Sequence, residues 1–84
     1  MAQVPSNLKE ELKQLVADVL EIDPNEVKPE TDFWKDLGID SFKAIVLVAA
    51  IEKKYRISIR DDAIPKMTTF SKALQILKQA LEEK

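Results

Sequence analysis

A chain of 84 residues with a formal net charge of −2 can form one small domain but is too short for a typical enclosed active site. Its 13 basic and 15 acidic side chains include no basic run, which disfavours nucleic acids and anionic membranes as partners. The lack of cysteine and histidine excludes disulfides and a thiolate zinc site, and it removes the commonest general base.

The sequence contains no signal for export or membrane insertion. Its first ten residues have no basic segment followed by an apolar stretch, and nowhere does it reach about 18 consecutive apolar residues. We therefore expect a soluble, cytoplasmic protein without a membrane span. A single glycine, with no repeat or low-complexity tract, indicates one domain over residues 1–84.

Apolar residues near the start recur at helical spacing. They are Leu8, Leu12, Leu15, Val16, Val19 and Leu20. This spacing predicts a first helix from about Leu8 to Leu20. Asn7 followed by Glu10 predicts a capping box at its beginning.

A long connection is expected from Glu21 to Asp40, because Pro24, Pro29 and Gly38 interrupt the helical pattern. The connection keeps apolar residues that should anchor it to the core: Ile22, Val27, Phe33, Trp34 and Leu37. A connection of this length usually carries function or is held in place by its own side chains.

The second helix is predicted from Ser41 to about Tyr55, with Asp40 as its N-cap. Its apolar surface would come from Phe42, Ile45, Leu47, Val48, Ala49 and Ile51. The β-branched residues would also suit a strand. A helix is favoured because the apolar run is long, contains two adjacent alanines and ends in a charged turn.

The rest of the chain predicts one short helix and one long one. Pro65 and the pair Asp61 and Asp62 favour an extended piece followed by a short helical turn. Thr68 or Thr69 could cap the last helix. Its apolar face would comprise Phe70, Ala73, Leu74, Leu77 and Leu81. The expected fold is all-α: a small four-helix bundle of three main helices plus one short helix, with a long loop between the first and second helices.

The stretch "DLGIDSF", residues 36–42, followed by a helix, resembles the modification motif of acyl carrier proteins. The resemblance covers nearly the whole chain, including "VKPETDFWKDLGIDS", the helix ending in "IEKKY" and the segment "MTTFSKAL". In that family a phosphopantetheinyl transferase esterifies the serine at the position of Ser41, using coenzyme A. The resemblance therefore implies a covalent 4'-phosphopantetheine on Ser41, whose thiol carries acyl groups as thioesters.

Physical chemistry agrees with this interpretation of Ser41. A serine at a helix N-terminus lies beside unsatisfied N–H groups and the positive end of the helix dipole, which favours a phosphodiester there. No local base is needed, because the modifying enzyme can activate the hydroxyl. Without the surrounding motif, Ser41 would be interpreted as an ordinary first-turn residue beside the cap.

The resemblance also implies roles for other positions. Those that match partner-recognition positions are Asp36, Leu37, Asp40, Phe42, Lys43 and Val46. Those that match the lining of the family's acyl-chain cavity are Phe33, Trp34, Ile51, Ile59, Ile64 and Met67. Taken singly, each cavity residue is better interpreted as ordinary core, and Phe42 could be exposed or folded inward. Acid/base catalysis by Asp36 and Asp40 is not expected, because a small exposed loop offers no desolvated pocket.

The charge of the second helix departs from the family pattern. Family members in fatty-acid synthesis usually present an acidic second helix, whereas residues 41–55 hold three lysines against Glu52, a net charge of +2. The preceding segment, residues 23–40, holds six acids against two lysines, a net charge of −4. Val46 adds an apolar residue where the family often has an acid. This departure favours a dedicated carrier in a specialised pathway.

The expected function is that of a stand-alone, monomeric carrier of acyl thioesters in a specialised fatty-acid, lipid or polyketide pathway, and not that of an enzyme. Its expected partners are a phosphopantetheinyl transferase, acyl-transferring or acyl-activating enzymes, and ketosynthases. An aminoacyl or D-alanyl carrier, and an unmodified helical protein-interaction module, are the alternatives. Bulky apolar residues at the cavity positions favour an acyl cargo.

Overall fold

The computed structural model describes residues 6–83. Three α-helices span Leu8–Leu20 (α1), Ser41–Tyr55 (α2) and Phe70–Glu82 (α3). Two 3-10 helices span Pro24–Glu26 and Asp61–Lys66. The predicted all-α fold and the predicted bounds of α1 and α2 are confirmed. Two predictions involve residues that the structure does not describe. The prediction that the first ten residues lack an export signal includes residues 1–5, and the predicted domain span of 1–84 includes residues 1–5 and 84.

The predicted capping box at the start of α1 is wrong. Asn7 occupies the N-cap position, but its side chain makes no capping hydrogen bond. Its backbone, at φ −107° and ψ 29°, lacks the extended conformation that turns an N-cap side chain toward the helix. A reciprocal cap occurs instead at the first 3-10 helix. There Asp23 Oδ1 accepts from the Asn25 amide at 2.8 Å, and Glu26 Oε2 accepts from the Asp23 amide at 3.1 Å.

The long connection is fixed against the beginning of α3. The Phe33 amide donates to the Thr68 carbonyl at 2.8 Å, and the Phe70 amide donates to the Thr31 carbonyl at 3.2 Å. The Thr31 hydroxyl is buried and accepts from the Lys28 amide at 2.8 Å. These bonds satisfy backbone groups that would otherwise be buried without partners. The connection is therefore an ordered part of the fold, and it contains the first 3-10 helix, which the sequence did not predict.

The core is formed by one face of each α-helix and by anchors from the connections. α1 contributes Leu8, Leu12, Val16 and Ala17; α2 contributes Leu47, Val48 and Ile51; α3 contributes Phe70, Ala73, Leu77 and Leu81. The buried apolar anchors are Val27, Phe33, Ile39, Ile59 and Met67.

α3 starts at the predicted cap, where Thr69 Oγ1 accepts from the Lys72 amide at 3.2 Å. No helix within residues 6–83 combines the length and apolarity required to cross a bilayer.

Candidate functional site: the amino end of α2 and its groove

The loop that leads into α2 is folded by two aspartates. Asp32 Oδ1 accepts from the amides of Trp34 and Lys35 at 2.9 and 2.8 Å. The Asp32 amide in turn donates to Asp36 Oδ2 at 2.9 Å. Short carboxylate side chains favour turns of this kind because they hydrogen-bond to backbone two or three residues on. Asp36, predicted as a recognition residue, is exposed and also holds this turn together.

Gly38 and Ile39 set the direction in which the chain enters α2. Gly38 has φ +64°, a left-handed conformation in which a side chain would be strained although the space around it is open. Ile39 is buried, and its amide donates to the Phe33 carbonyl at 3.0 Å. Ile39 was not predicted as an anchor, because it stands alone between Gly38 and Asp40 without a periodic pattern.

Ser41 is the first residue of α2, and its side chain is exposed. The predicted N-cap is confirmed, since Asp40 has extended backbone and its Oδ1 accepts from the Lys43 amide at 2.8 Å. At a helix start the amides of Ser41 and Phe42 have no intrahelical acceptor, so this end of α2 carries partial positive charge. An exposed hydroxyl at such a position fits the attachment of a phosphate ester.

A groove of about 620 Å³ begins at Ser41 and lies between α2 and the second 3-10 helix. The residues of α2 that line it recur at helical spacing from Ser41: Ala44, Ile45, Val48, Ala49 and Glu52. The opposite wall is formed by Trp34, Ile59, Asp61, Ile64 and Pro65. Glu52 lies eleven positions after Ser41, so the groove follows α2 for about three turns.

The predicted cavity residues fall into three groups. Trp34, Ile59 and Ile64 line the groove. Phe33 and Met67 border a space of about 10 Å³ deeper in the fold, which Trp34 and Ile64 also border. Ile51 is fully buried in the core and lines neither space. The α2 side of the groove was not predicted, although the i, i+3 and i+4 positions counted from Ser41 indicate it.

Glu52, the one acid in α2, is engaged in the fold. Its Oε2 accepts from the Ile59 amide at 2.7 Å, and its carbonyl accepts from the Ile57 amide at 3.2 Å. These bonds hold the extended segment after α2 against the end of the groove. Lys54 Nζ lies over the Tyr55 ring, 5.7 Å from its centroid. The exposed lysines Lys43 and Lys53 are therefore the charges that α2 presents to solvent.

The predicted recognition residues on α2 face outward. Phe42 is 70% exposed and therefore does not fold inward, and Val46 is 37% exposed. Lys43 is exposed as well, while Leu37 is half-buried against the core. Ile45 was expected to contribute to the apolar surface of the helix, and it is 60% exposed beside the groove.

Comparison with known proteins places these features in a family. The family model described as the phosphopantetheine attachment site matches residues 10–80. The chain is 37% identical over 68 residues to an acyl carrier protein from Picosynechococcus sp., an alignment that covers 81% of this chain and 84% of that protein.

The fold is also similar to a solved structure. The solution structure of the apo doublet acyl carrier protein from prodigiosin biosynthesis aligns with a TM-score of 0.77 at 21% identity. The alignment covers 93% of this chain and 39% of that one, so the chain spans well under half of the doublet. At this identity the likeness shows the fold alone.

The family match indicates the general biochemistry of this chain. Proteins of this family bear a covalently attached 4'-phosphopantetheine and interact with phosphopantetheinyl transferases and acyl-handling enzymes. They are carriers and not enzymes, as the sequence analysis expected. Because the match spans residues 10–80 and the relative shares 37% identity over most of both chains, this chain belongs to the phosphopantetheine-binding acyl carrier proteins.

Proposed function

We propose that Ser41 is the residue that bears the phosphopantetheine arm. The observation that carries the proposal is the position of its exposed hydroxyl, at the positive end of α2 and at the beginning of the groove. Ser71 is also exposed in the first turn of a helix, yet it does not line this groove. Ser41 thus combines the electrostatics suited to a phosphodiester with access to a site for the cargo.

When attached, the arm supplies a thiol that holds cargo as a thioester. The chain's own contribution is to present the hydroxyl and to shelter the cargo. Val48, Ile59 and Ile64 give the groove an apolar lining, which favours an acyl chain because burying methylene groups releases hydration water. We therefore propose an acyl cargo.

The pathway that we propose is a specialised one, in fatty-acid, lipid or polyketide metabolism. The support is the exposed surface of α2, where Lys43 and Lys53 stand without a free carboxylate beside them on the helix. Acyl-activating or acyl-transferring enzymes and ketosynthases are the proposed partners, and the proposed form is a stand-alone monomer of one domain in the cytoplasm.

A second candidate is an aminoacyl or D-alanyl carrier. The groove is not wholly apolar, because the carboxylates of Glu52 and Asp61 lie among its lining residues. A cargo that carries an ammonium group would find opposite charge there. The two candidates differ in how Tm depends on cargo length: it should rise with the length of an acyl chain and stay flat for an exposed aminoacyl group.

The attachment residue is tested by intact mass after incubation with coenzyme A and a broad-specificity transferase. We expect wild type and Ser71→Ala to gain one phosphopantetheine and Ser41→Ala to gain none, with equal helical content by circular dichroism. Modification of Ser41→Ala would contradict the assignment. No added mass on wild type with several transferases would favour an unmodified interaction module.

A further inference from the structure

A second groove runs along α3, and Ser41 does not line it. It consists of two adjoining spaces of about 290 and 460 Å³, which share Lys66 and Ile76 in their lining. From Lys72 to Glu83 the groove follows α3 for about three turns. The residues of its α3 wall recur at i, i+3 and i+4 spacing: Lys72, Gln75, Ile76, Gln79, Ala80 and Glu83.

The second 3-10 helix separates this groove from the groove of Ser41. Asp61 and Ile64 of that short helix line the groove of Ser41. Ala63 and Lys66 of the same helix line the groove along α3. A molecule bound along α3 therefore leaves the surface beside Ser41 uncovered.

The groove along α3 is apolar in its middle and positively charged at one end. Ala63, Ile76 and Ala80 are half-buried and give it an apolar floor. Lys66 and Lys72 are exposed and line the end next to the beginning of α3. Neither lysine forms an ion pair with a described residue, so both charges are available to a partner.

The other end of this groove carries charges of both signs. Arg60 Nε lies 3.3 Å from Asp62 Oδ1, and this exposed pair offsets its own charge. Glu83 is exposed just beyond the last residue of α3 and forms no ion pair with a described residue. Along α3 the unpaired charge of the groove thus changes from positive to negative.

We propose that this groove docks an amphipathic helix of a partner protein that tethers the carrier. The partner helix runs parallel to α3, with carboxylates in its first turn beside Lys66 and Lys72 and a basic residue in its last turn beside Glu83. Such a helix is also stabilised by its own macrodipole, which favours acids at the amino end and bases at the carboxyl end. An apolar residue in its middle turn covers Ile76.

A helix fits better than an extended peptide. Strand addition requires an exposed sheet edge, and the β-pairing within residues 6–83 is an isolated bridge between Asp32 and Thr69. A helix of three turns matches the length of the groove, and the small side chains of Ala63 and Ala80 allow it to approach closely. The inference goes beyond the carrier function and does not depend on which serine bears the arm.

A second copy of this chain fits the groove less well. Its α2 has a similar charge order, with Asp40 ahead of the first turn and Lys53 in the last turn. An α2 docked in this way would cover the surface beside Ser41 that a modifying enzyme must reach. Because the two contacting surfaces differ, the contact would also add copies head to tail.

The test titrates the full chain, with labelled Ile and Ala methyl groups, with helix-stapled peptides of about three turns. The peptides carry Glu in the first turn, Lys in the last turn, and Leu, Val or Ala in the middle turn. We expect them to shift the methyl NMR signals of Ile76 and Ala80 and to leave Ile45 of α2 unshifted. Control peptides of the same composition, with Glu on the face away from the apolar residue, should bind more weakly.

Matched variants test the charges. Lys66→Glu combined with Lys72→Glu should raise Kd about 2- to 30-fold, the range for loss of two exposed ion pairs. Lys53→Glu combined with Lys78→Glu makes the same change in net charge at exposed positions outside the groove, so Kd should stay nearly unchanged. If no peptide shifts Ile76, or if both double variants bind alike, the inference is wrong.

Three further measurements test the orientation, the tether and the rival. A spin label at the peptide's amino end should broaden the amide signal of Lys72 more than that of Glu83, and the opposite pattern would contradict parallel docking. Saturating peptide should leave the rate of phosphopantetheine addition unchanged, and a slower rate would contradict a tether that keeps Ser41 uncovered. Sedimentation should show a monomer. Self-association that Lys66→Glu with Lys72→Glu abolishes would assign the groove to a second copy and overturn the proposal.

Discussion

The phenolic Oη of Tyr55 donates a hydrogen bond of 2.9 Å to Oε1 of Glu11, joining the last residue of α2 to the first half of α1. The two residues are 44 positions apart in sequence. Burial is the main cause that raises the pKa of Tyr55 above its ordinary value, and the hydrogen bond to Glu11 and its negative charge act in the same direction. The bond links α1 and α2 in addition to the apolar core that they share.

Removing this hydroxyl should destabilise the fold. Tyr55→Phe keeps the ring and loses the bond, so the free energy of unfolding should fall by about 1.5 kcal/mol, the lower end of the usual range for a bond to a charged acceptor because the pair is only part-buried. In a domain of this size, each kcal/mol lowers Tm by about 4–8 °C. Urea and thermal unfolding followed by circular dichroism measure the loss. Glu11→Gln keeps an acceptor and should lose less; equal stability of wild type and Tyr55→Phe would show that the bond contributes nothing.

The same bond predicts a stability that declines in alkali. The pKa of Tyr55 is higher in the folded chain than the value of about 10 in the unfolded chain. The contribution of Tyr55 to the free energy of unfolding is therefore complete below about pH 10. It is lost as the pH rises from there toward the pKa of Tyr55 in the folded chain. Tyr55 is the single tyrosine in the sequence, so tyrosinate absorbance reports it alone. The native protein should titrate at higher pH than the urea-unfolded chain, and coincident curves would contradict the prediction.

Asp40 combines two roles that substitution can separate. Asp40→Ala removes the cap on the Lys43 amide and should cost about 1 kcal/mol, whereas Asp40→Asn retains a good cap and removes only the charge. If the transferase reads the carboxylate, Asp40→Asn should keep the wild-type Tm and be modified more slowly at Ser41. Unfolding and the rate of phosphopantetheine addition are measured on both variants. Equal rates of phosphopantetheine addition to wild type and Asp40→Asn would show that the transferase does not read the carboxylate and that Asp40 acts only as a helix cap.

An acyl chain on the arm should stabilise the protein as it grows. Each methylene buried in the groove contributes up to ~0.8 kcal/mol before the entropic cost of ordering the chain. Tm should rise with chain length until the groove is filled, and the methyl NMR signals of Ile59 and Ile64 should shift. Ile76 of α3 does not line this groove and serves as the control signal. A flat Tm with unshifted methyl signals would indicate an exposed cargo, as expected for an aminoacyl carrier.

The lysines of α2 should make this protein a poor substrate for enzymes that read acidic carriers. Changing Lys43, Val46 and Lys53 together to Glu should gain roughly 1–3 kcal/mol of binding to a fatty-acid ketosynthase. That gain is about 5- to 150-fold in affinity, and it should shrink as salt rises. The measurement is KM of the ketosynthase for the holo proteins at low and moderate salt.

The control for this charge change substitutes Glu at Lys72 and Lys78 of α3, both exposed. It alters net charge on another surface, so it should leave KM nearly unchanged. A wild type that already performs like an acidic carrier, or a triple variant that gains nothing, would remove the main support for a specialised pathway.

Local features were predictable from the sequence because they depend on neighbouring residues. The bounds of α1 and α2 follow from apolar spacing, and Asp40 and Thr69 cap the helices that they precede. The capping box at Asn7 failed although its residue types were right. A cap also needs extended backbone at that residue, which residue type alone does not impose.

The sequence by itself determined the three α-helices, the acyl-carrier motif around Ser41 and the unusual charge of α2. Only the tertiary structure decided which apolar residues form the core and which meet solvent. Phe42 and Ile51 are nine residues apart, about two and a half turns, and so lie on opposite faces of α2. Helical periodicity predicts that separation, but it does not say which face is covered. Ile51 belongs to the core that α2 shares with α1 and α3, and Phe42 is left in water beside the proposed attachment residue.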